Sequence, residues 1–446
     1  MRKVRRVRPY VVSGFSRTGI MLAVLLTGAV LHAQEAPLGD GSTGLHWASY
    51  HDNLDKADQL LRAGADVNAA NDLGATPLWT ASLNGSSRMV RRLLAAGADP
   101  NRALIAGETP LMVGARSGNA EVVQLLLDKG ANPNARGPRN QTALMWAVSQ
   151  KHVDVVKVLL ARGADVHARS AERSQMVAVP PHGYRDNNRI ILQGGDTALM
   201  FAARVGDLAS AKLLVTSGAN VNDTDAWGVS ATTLAAHSGF GDLVEFLLER
   251  GADPNAAKAG FAALHAAIMR RDDRVIDALL AKGADANAPL RVWTPTRRSA
   301  DDFHFQPALV GATPFWLAAR FGQPDVMRRL AKHGADPLFV HDVKYAAAPI
   351  GNDYPVKHER TTALMAASGM GGGTPWVQID RAEREALALE AVKVGAELGI
   401  DVNAANVDGR TALDAARLLK YDSVVKFLEA RSATAGTPRE APRRSE

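Results

Sequence analysis

Residues 107–134 read GETPLMVGARSGNAEVVQLLLDKGANPN, and the same arrangement returns along most of the chain. The closing tripeptide, Gly-Ala-Asp or Gly-Ala-Asn, occurs eight times, and a degenerate ninth copy begins at Gly399. The eight copies begin at Gly64, Gly97, Gly130, Gly163, Gly218, Gly251, Gly283 and Gly334. The first three steps between them are 33 residues each. A fixed period near 33 is typical of stacked repeats, each of which buries its apolar face only against its neighbours.

A second motif lies 23 residues before the tripeptide. Its full form is Gly-x-Thr-Pro followed by an apolar residue, and it begins at Gly74, Gly107 and Gly311. The Thr hydroxyl can cap a helix, and Pro suits the first turn because its missing N–H has no partner there. Small residues, a Gly and an apolar block such as Val122–Leu127 follow. The pattern predicts two short helices in each repeat, each ended by a Gly.

These motifs resemble the ankyrin repeat. The resemblance covers about residues 44–430 and implies an all-α solenoid of about ten helix-turn-helix units with β-turn or hairpin fingers. The first unit has Gly44 in the Pro position, and the last has Asp414 in the position that His usually fills, as expected of capping units. The units start near Gly41, Gly74, Gly107, Asn140, Gly195, Gly228, Gly260, Gly311, Arg360 and Gly409.

The period is broken at three steps, of 55, 51 and 65 residues. Three insertions fall in finger segments, near 170–193, 289–309 and 342–359, and they are rich in aromatic, His and Arg residues. These residue types dominate the hot spots of protein interfaces. One hypothesis is that the insertions extend the fingers into a wall that closes a partner site. The alternative is that they are tolerated surface loops, since long insertions cost little free energy.

A fourth insertion, near 369–384, contains Gly371-Gly-Gly-Thr-Pro-Trp376 and separates the two helices of the ninth unit. Gly-rich segments can hold a phosphate group, but this one lacks the spacing of a P-loop and the Gly-Lys-Ser/Thr that completes it. We therefore expect a flexible inter-helix loop.

The amino-terminal residues 1–33 have the composition of an export signal. They carry six basic residues and no acidic one, then the apolar run Ile20–Leu31, and they end in the small Ala33. The apolar run is too short to span a bilayer, which needs about 20 residues. We expect a signal peptide at 1–33, a linker at 34–40, repeats over 41–431 and a disordered tail at 432–446. The protein is then periplasmic or extracellular; the alternatives are an uncleaved anchor and a wrongly assigned start of the chain.

Charge and cysteine content exclude several function classes. The formal charge is +6, which equals the basic residues of 1–33, so the rest of the chain is balanced. Balanced charge argues against a nucleic-acid partner. There are no cysteines, which rules out disulfides, thiolate metal sites and Cys nucleophiles.

The sequence contains no complete nucleophile-elbow, zincin, dinucleotide-binding or Walker motif. We therefore expect no catalytic residue, no cofactor and no metal. The predicted function is a non-catalytic, monomeric scaffold that binds a protein partner. The alternatives are an effector or immunity-type inhibitor of another enzyme, and an enzyme with a site built from the inserted loops.

Candidate partner-contacting residues come from two sources. The resemblance implies a concave face at certain positions of each unit, and the finger insertions supply the rest. Together they give Trp47, Tyr50, Arg116, Trp146, Phe201, Arg204, Tyr184, Arg185, Trp293, Arg297, Phe303, Phe305, Arg320 and Phe321. For Trp146 and Phe201, packing between helices is the alternative role.

Overall fold

The computed structural model describes residues 39–179, 187–294, 304–347 and 354–437. Within these ranges the chain forms twenty α-helices, arranged as ten consecutive pairs, and two antiparallel hairpins. The proposed signal peptide lies outside the described residues, as do most of the proposed linker and the last part of the proposed tail. No helix in the described ranges combines the length and the apolar character needed to cross a membrane.

The described residues divide into two compact units. The first unit comprises those up to Glu172 together with Gly194–Asp225, and it holds repeats one to five. Its helix pairs are Gly44–Tyr50 and Leu54–Arg62, Pro77–Asn84 and Ser87–Ala95, Pro110–Ser117 and Ala120–Asp128, Ala143–Ser149 and Val153–Ala161, and Ala198–Val205 and Leu208–Thr216. A short 3₁₀ turn, Pro138–Asn140, lies in the finger of repeat four.

The second unit comprises Arg173–Gln193 and the described residues from Ala226 onward, and it holds repeats six to ten. Its helix pairs are Ala231–Ser238 and Gly241–Glu249, Ala263–Arg270 and Asp273–Ala281, Pro314–Arg320 and Pro324–Lys332, Ala363–Ala367 and Arg381–Glu397, and Ala412–Leu419 and Asp422–Ala430. A 3₁₀ turn, Pro307–Leu309, precedes repeat eight.

Two finger insertions form hairpins in this second unit. Strand β1 (Arg173–Ala178) pairs antiparallel with β2 (Asn188–Gln193), so that Met176 lies opposite Ile190. Strand β3 (Val340–Ala346) pairs with β4 (Val356–Thr362), which leads directly into the first helix of repeat nine.

The motif residues act at the helix ends as the sequence predicts. The Thr76 and Thr109 hydroxyls accept hydrogen bonds from the backbone N–H groups of Trp79 and Met112, at 3.2 and 3.3 Å. Gly85, which ends the first helix of repeat two, has a φ of +69°. The tripeptide glycines also adopt positive φ, a conformation that favours glycine because it has no Cβ. The helix-stop prediction is therefore confirmed where the chain carries a Gly, whereas Asp52, Lys151, Arg271 and Lys420 take the same left-handed conformation at the ends of four first helices.

The Asn two residues after the tripeptide's Asp joins consecutive repeats. Asn101 donates its side-chain N–H to the Gly130 carbonyl at 2.9 Å and accepts from the Asn132 N–H at 2.8 Å. Asn255 makes the same two bonds to Gly283 and Asp285 in the second unit. The motif thus carries an inter-repeat clamp as well as a turn.

The first helices carry most of the large buried side chains. His265 is buried: its Nδ1 accepts from the Ala262 N–H at 3.1 Å, and its Nε2 lies 2.9 Å from the Ala288 carbonyl. Trp316 fills the equivalent position in repeat eight, is fully buried, and donates its Nε1–H to Thr361 Oγ1 at 3.2 Å. Both side chains link one repeat to the finger of the next.

Candidate functional site

The ends of the first helices form a row along the inner side of the first unit. Tyr50, Asn84, Arg116 and Arg204 occupy the last turn of the first helix in repeats one, two, three and five. Consecutive first helices pack side by side, so these positions line up from repeat to repeat. We call the surface formed by Trp47, Tyr50, His51, Arg116 and Arg204 the inner-face row.

An aromatic group begins the inner-face row. The Trp47 and His51 rings are stacked with centroids 5.6 Å apart, and Tyr50 meets His51 edge-on at 5.0 Å. Asn84 of the next repeat donates to the Tyr50 carbonyl at 2.6 Å and fixes the turn that carries these rings. Tyr50 is 40% exposed, and His51 is also exposed. The group offers flat, partly apolar surface to a partner at little cost in conformational entropy.

Arg116 forms an ion pair with a buried acidic side chain. Its guanidinium lies 3.3 Å from Glu108 Oε1 and 4.9 Å from the centre of the Trp146 ring. Burial raises the pKa of Glu108 above its ordinary value, and the opposite charge of Arg116 reduces the size of this shift. Trp146 is buried and donates its Nε1–H to Gln141 at 2.9 Å. Arg116 itself remains partly exposed, so it presents a guanidinium of fixed orientation.

Repeat five uses the same arrangement. Arg204 donates to Asp196 Oδ1 at 2.7 Å and lies 3.6 Å from Asp225 Oδ2. Asp196 follows the finger Gly, as Glu108 does in repeat three, and both acids are buried. Two arginines at equivalent positions are thus each oriented by a buried carboxylate. The repeat pattern places these acids and arginines on the same face, but it did not predict that they pair with each other.

Phe201 and Trp146 do not contribute exposed surface. Both are buried in the packing of first helices, Phe201 at 7% exposure and Trp146 at 4%. The alternative role considered from the sequence, packing between helices, describes both residues.

Trp293 lies in a small core rather than on a surface. It is buried together with Val177, Val179 and Ile191, so it packs the hairpin β1–β2 against the second unit. Arg189 of β2 covers its ring at 5.4 Å. The expectation that Trp293 contacts a partner is corrected: the side chain anchors one insertion to another.

Phe305 and Phe321 are also buried in the second unit. The Phe305 ring lies 5.5 Å from Phe261 and 5.0 Å from Trp376. The expectation of exposed contacts is therefore corrected for Phe305 and Phe321, because these apolar rings are stabilised more by burial in the unit's own core than by exposure to solvent.

Arg320 is engaged within the chain. It donates from Nε to the Gly371 carbonyl at 3.0 Å and from Nη2 to the Gly373 carbonyl at 3.3 Å. Its partner is thus the Gly-rich insertion of repeat nine, which is packed against the second unit and is not a free loop. The remaining candidates, Tyr184, Arg185, Arg297 and Phe303, lie outside the described residues.

In the part of the chain that the structure describes, no three His, Asp or Glu side chains are grouped so as to hold a metal ion. The buried histidines are used for packing and for backbone hydrogen bonds. Burial lowers the pKa of His46 and His341, and it lowers the pKa of His265 to about 4.

Comparison with known families agrees with this geometry. The family model described as "Ankyrin repeats (3 copies)" matches residues 17–104, 102–170 and 199–289, and that described as "Ankyrin repeat" matches 310–342. These matches cover more than half of the chain. The protein belongs to the ankyrin repeat family.

Two similar proteins share the repeats. A putative ankyrin repeat protein of Rickettsia bellii (strain RML369-C) is 30% identical over 149 residues, which is 33% of this chain and 72% of that protein. The mouse protein "Ankyrin repeat, SAM and basic leucine zipper domain-containing protein 1" is 33% identical over 111 residues. That match covers 24% of this chain and only 23% of the mouse protein. Ankyrin repeats imply a scaffold for protein–protein interaction, and the family is generally non-catalytic.

Proposed function

We propose that this ankyrin protein is a non-catalytic scaffold whose inner-face row binds a protein partner in the periplasm or outside the cell. The observation that supports this most is the pre-orientation of Arg116 and Arg204. Each is anchored by a buried carboxylate while its guanidinium stays partly exposed. A group fixed before binding loses little conformational entropy when a partner arrives.

The chemistry of the row suits a protein better than a nucleic acid. Arg116 and Arg204 are each paired with an acid, so they do not build the excess positive charge that phosphate binding needs. Exposed Tyr50 and His51 belong to the same row in repeat one, and Tyr and Arg are enriched in the hot spots of protein interfaces.

The export part of the proposal is tested separately. If residues 1–33 are removed on export, the mature protein begins at Gln34. Mass spectrometry of the protein recovered from the periplasm or the culture medium measures this amino terminus. An intact amino terminus found only in the cytoplasm contradicts export and leaves the binding proposal standing.

The binding part is tested with a double variant, Tyr50→Ala with His51→Ala. Both side chains are exposed, so the fold tolerates their loss. We expect loss of the partner that copurifies with the unaltered protein. The control is Gln59→Ala, an exposed position on the second helix of the same repeat, which retains the partner. Equal recovery with both variants contradicts the assignment of the site.

A further inference from the structure

The inner side of the second unit carries the same row of positions as the first. His237, Arg270 and Arg320 lie in the last turn of the first helix in repeats six, seven and eight. These helices pack consecutively, as their counterparts do in the first unit. Arg270 donates to the His237 carbonyl at 3.0 Å, so two of the three positions are joined directly.

A segment of the chain itself lies across this row. Residues Gly371–Trp376 follow the first helix of repeat nine, and the Trp376 ring reaches His237 of repeat six, with centroids 5.1 Å apart. Trp376 donates its Nε1–H to the His304 carbonyl at 2.8 Å. At the other end, Arg320 binds the Gly371 and Gly373 carbonyls. The segment therefore contacts repeats six and eight in the way that an extended ligand does.

The three glycines fit the surface so closely that a side chain has no room. A Cβ on Gly371 falls 2.9 Å from Trp316, and one on Gly373 falls 2.5 Å from Leu309. A Cβ on Gly372 falls 2.4 Å from that of Ala308. Real Cβ contacts below 3.0 Å essentially do not occur. Three successive glycines are thus required by close approach to the surface.

Polar contacts fix the same segment along its length. Glu359 accepts from the Gly372 N–H and from the Tyr345 hydroxyl, each at 2.6 Å. Thr374 donates its N–H to Gln306 Oε1 at 3.0 Å, and Gln306 donates back to the Thr374 hydroxyl at 2.5 Å. Two of the other three insertions, those near 289–309 and 342–359, therefore supply groups that contact this segment.

We infer that the inner side of the second unit is a peptide-binding site, occupied in this chain by its own segment 371–376. The site takes a turn of small residues, whose carbonyls accept from Arg320, followed by a Trp that packs on His237 and Phe305. A peptide of this chemistry on another molecule competes with the segment for the site. The inference deepens the proposed function, since it assumes that inner-side positions bind protein segments.

The test adds the segment back as a separate molecule. In a first variant of the full chain, residues 371–376 are replaced by alternating Ser and Ala, which removes Trp376 and places side chains where the glycines lie. The probe is a fluorescein-labelled synthetic peptide with the sequence of residues 369–378, and its binding is measured by fluorescence anisotropy. A peptide with Ala in place of Trp376 is the control.

We expect the peptide to bind this variant at least tenfold more tightly than it binds the unaltered protein. A tethered segment competes at an effective concentration of about 1 mM, so a site with an intrinsic Kd of about 100 μM or tighter loses at least about tenfold in apparent affinity for the free peptide. The control peptide should bind at least tenfold more weakly than the probe. Should the replaced variant fail to fold by circular dichroism, Trp376→Ala takes its place in the same assay.

Absence of peptide binding to a folded variant overturns the inference, as does equal binding to the unaltered protein. Neither result bears on the inner-face row of the first unit, because the assay contains no partner protein. Conversely, loss of partner in the Tyr50→Ala and His51→Ala variant says nothing about segment 371–376. The two proposals therefore fail separately.

Discussion

At the residue scale, the neutral form of one imidazole links two repeats. His265 accepts one hydrogen bond at Nδ1 and has the Ala288 carbonyl at Nε2, so the neutral ring satisfies both contacts. His46 holds the equivalent position in repeat one, and its Nε2 lies 2.8 Å from the Ala75 carbonyl. Trp316 holds it in repeat eight, where the indole N–H makes the link to Thr361 with different geometry. The repeat pattern therefore shows which position links two repeats, and the residue type at that position determines which atoms make the link.

The buried His265 predicts an acid-sensitive second unit. Burial holds the pKa of His265 at about 4 in the folded protein, below its ordinary value of 6.5. The unfolded chain binds the proton first as the pH falls, so folding stability is full above pH 6.5 and declines toward pH 4. The expected loss at pH 5 is about 2 kcal/mol. Urea unfolding at pH 7 and pH 5 measures it. His265→Asn should show a smaller decline; an equal decline contradicts the assignment.

Two of the residues other than glycine that adopt the left-handed conformation at the ends of first helices predict opposite outcomes. Lys420 and Arg271 have φ values of +55° and +56°. Lys420 is exposed, so Lys420→Gly should stabilise the protein by about 0.5–1 kcal/mol by relieving backbone strain. Arg271 donates to the carbonyls of Phe321 and Gly322, so Arg271→Gly should gain nothing or lose stability. Thermal unfolding compares the pair, and an equal gain in both contradicts this reasoning.

At the element scale, the interruptions of the repeat period gave the positions of the insertions, and the structure shows what each insertion packs against. Their positions followed from simple spacing, since every shared repeat has a known length. Their packing did not follow, because aromatic residues serve equally well in a core and in an interface. Trp293 and Phe305 lie in a core, while Gly371–Gly373 fit a surface that could not be recognised from the sequence. The packing of the insertions depends on contacts between segments that are far apart along the chain, and a single sequence does not reveal those contacts.

The small core around Trp293 predicts that a substitution inside it lowers stability much more than a substitution on the exposed side of the hairpin β1–β2. Trp293 is buried against Val177 and Ile191, so Trp293→Ala should destabilise the second unit by about 3 kcal/mol or more. Met176 of the same hairpin is 69% exposed, so Met176→Ser should change stability by less than about 0.5 kcal/mol. Urea unfolding of both variants provides the comparison. A loss of equal size in the two variants contradicts the packing described.

At the scale of the whole molecule, regular repeats supply the scaffold, and the two units differ in how their inner sides are used. In the first unit, Tyr50 is exposed, and Arg116 and Arg204 are partly exposed and held by acids. In the second unit, the equivalent Arg320 binds the chain's own segment. The repeat fold could be predicted from the sequence in full, whereas this difference between units required the contacts of individual side chains.

The central claim, that the inner-face row binds a protein, is tested most directly by position-resolved photocrosslinking. A photoreactive amino acid is placed at Tyr50 in one variant and at Gln59, on the second helix of the same repeat, in another. Both variants are irradiated in the native compartment, and covalent adducts are identified by mass spectrometry. We expect one recurrent protein adduct from position 50 that is absent from position 59. Adducts from position 59 alone, or the same adducts from both positions, contradict it.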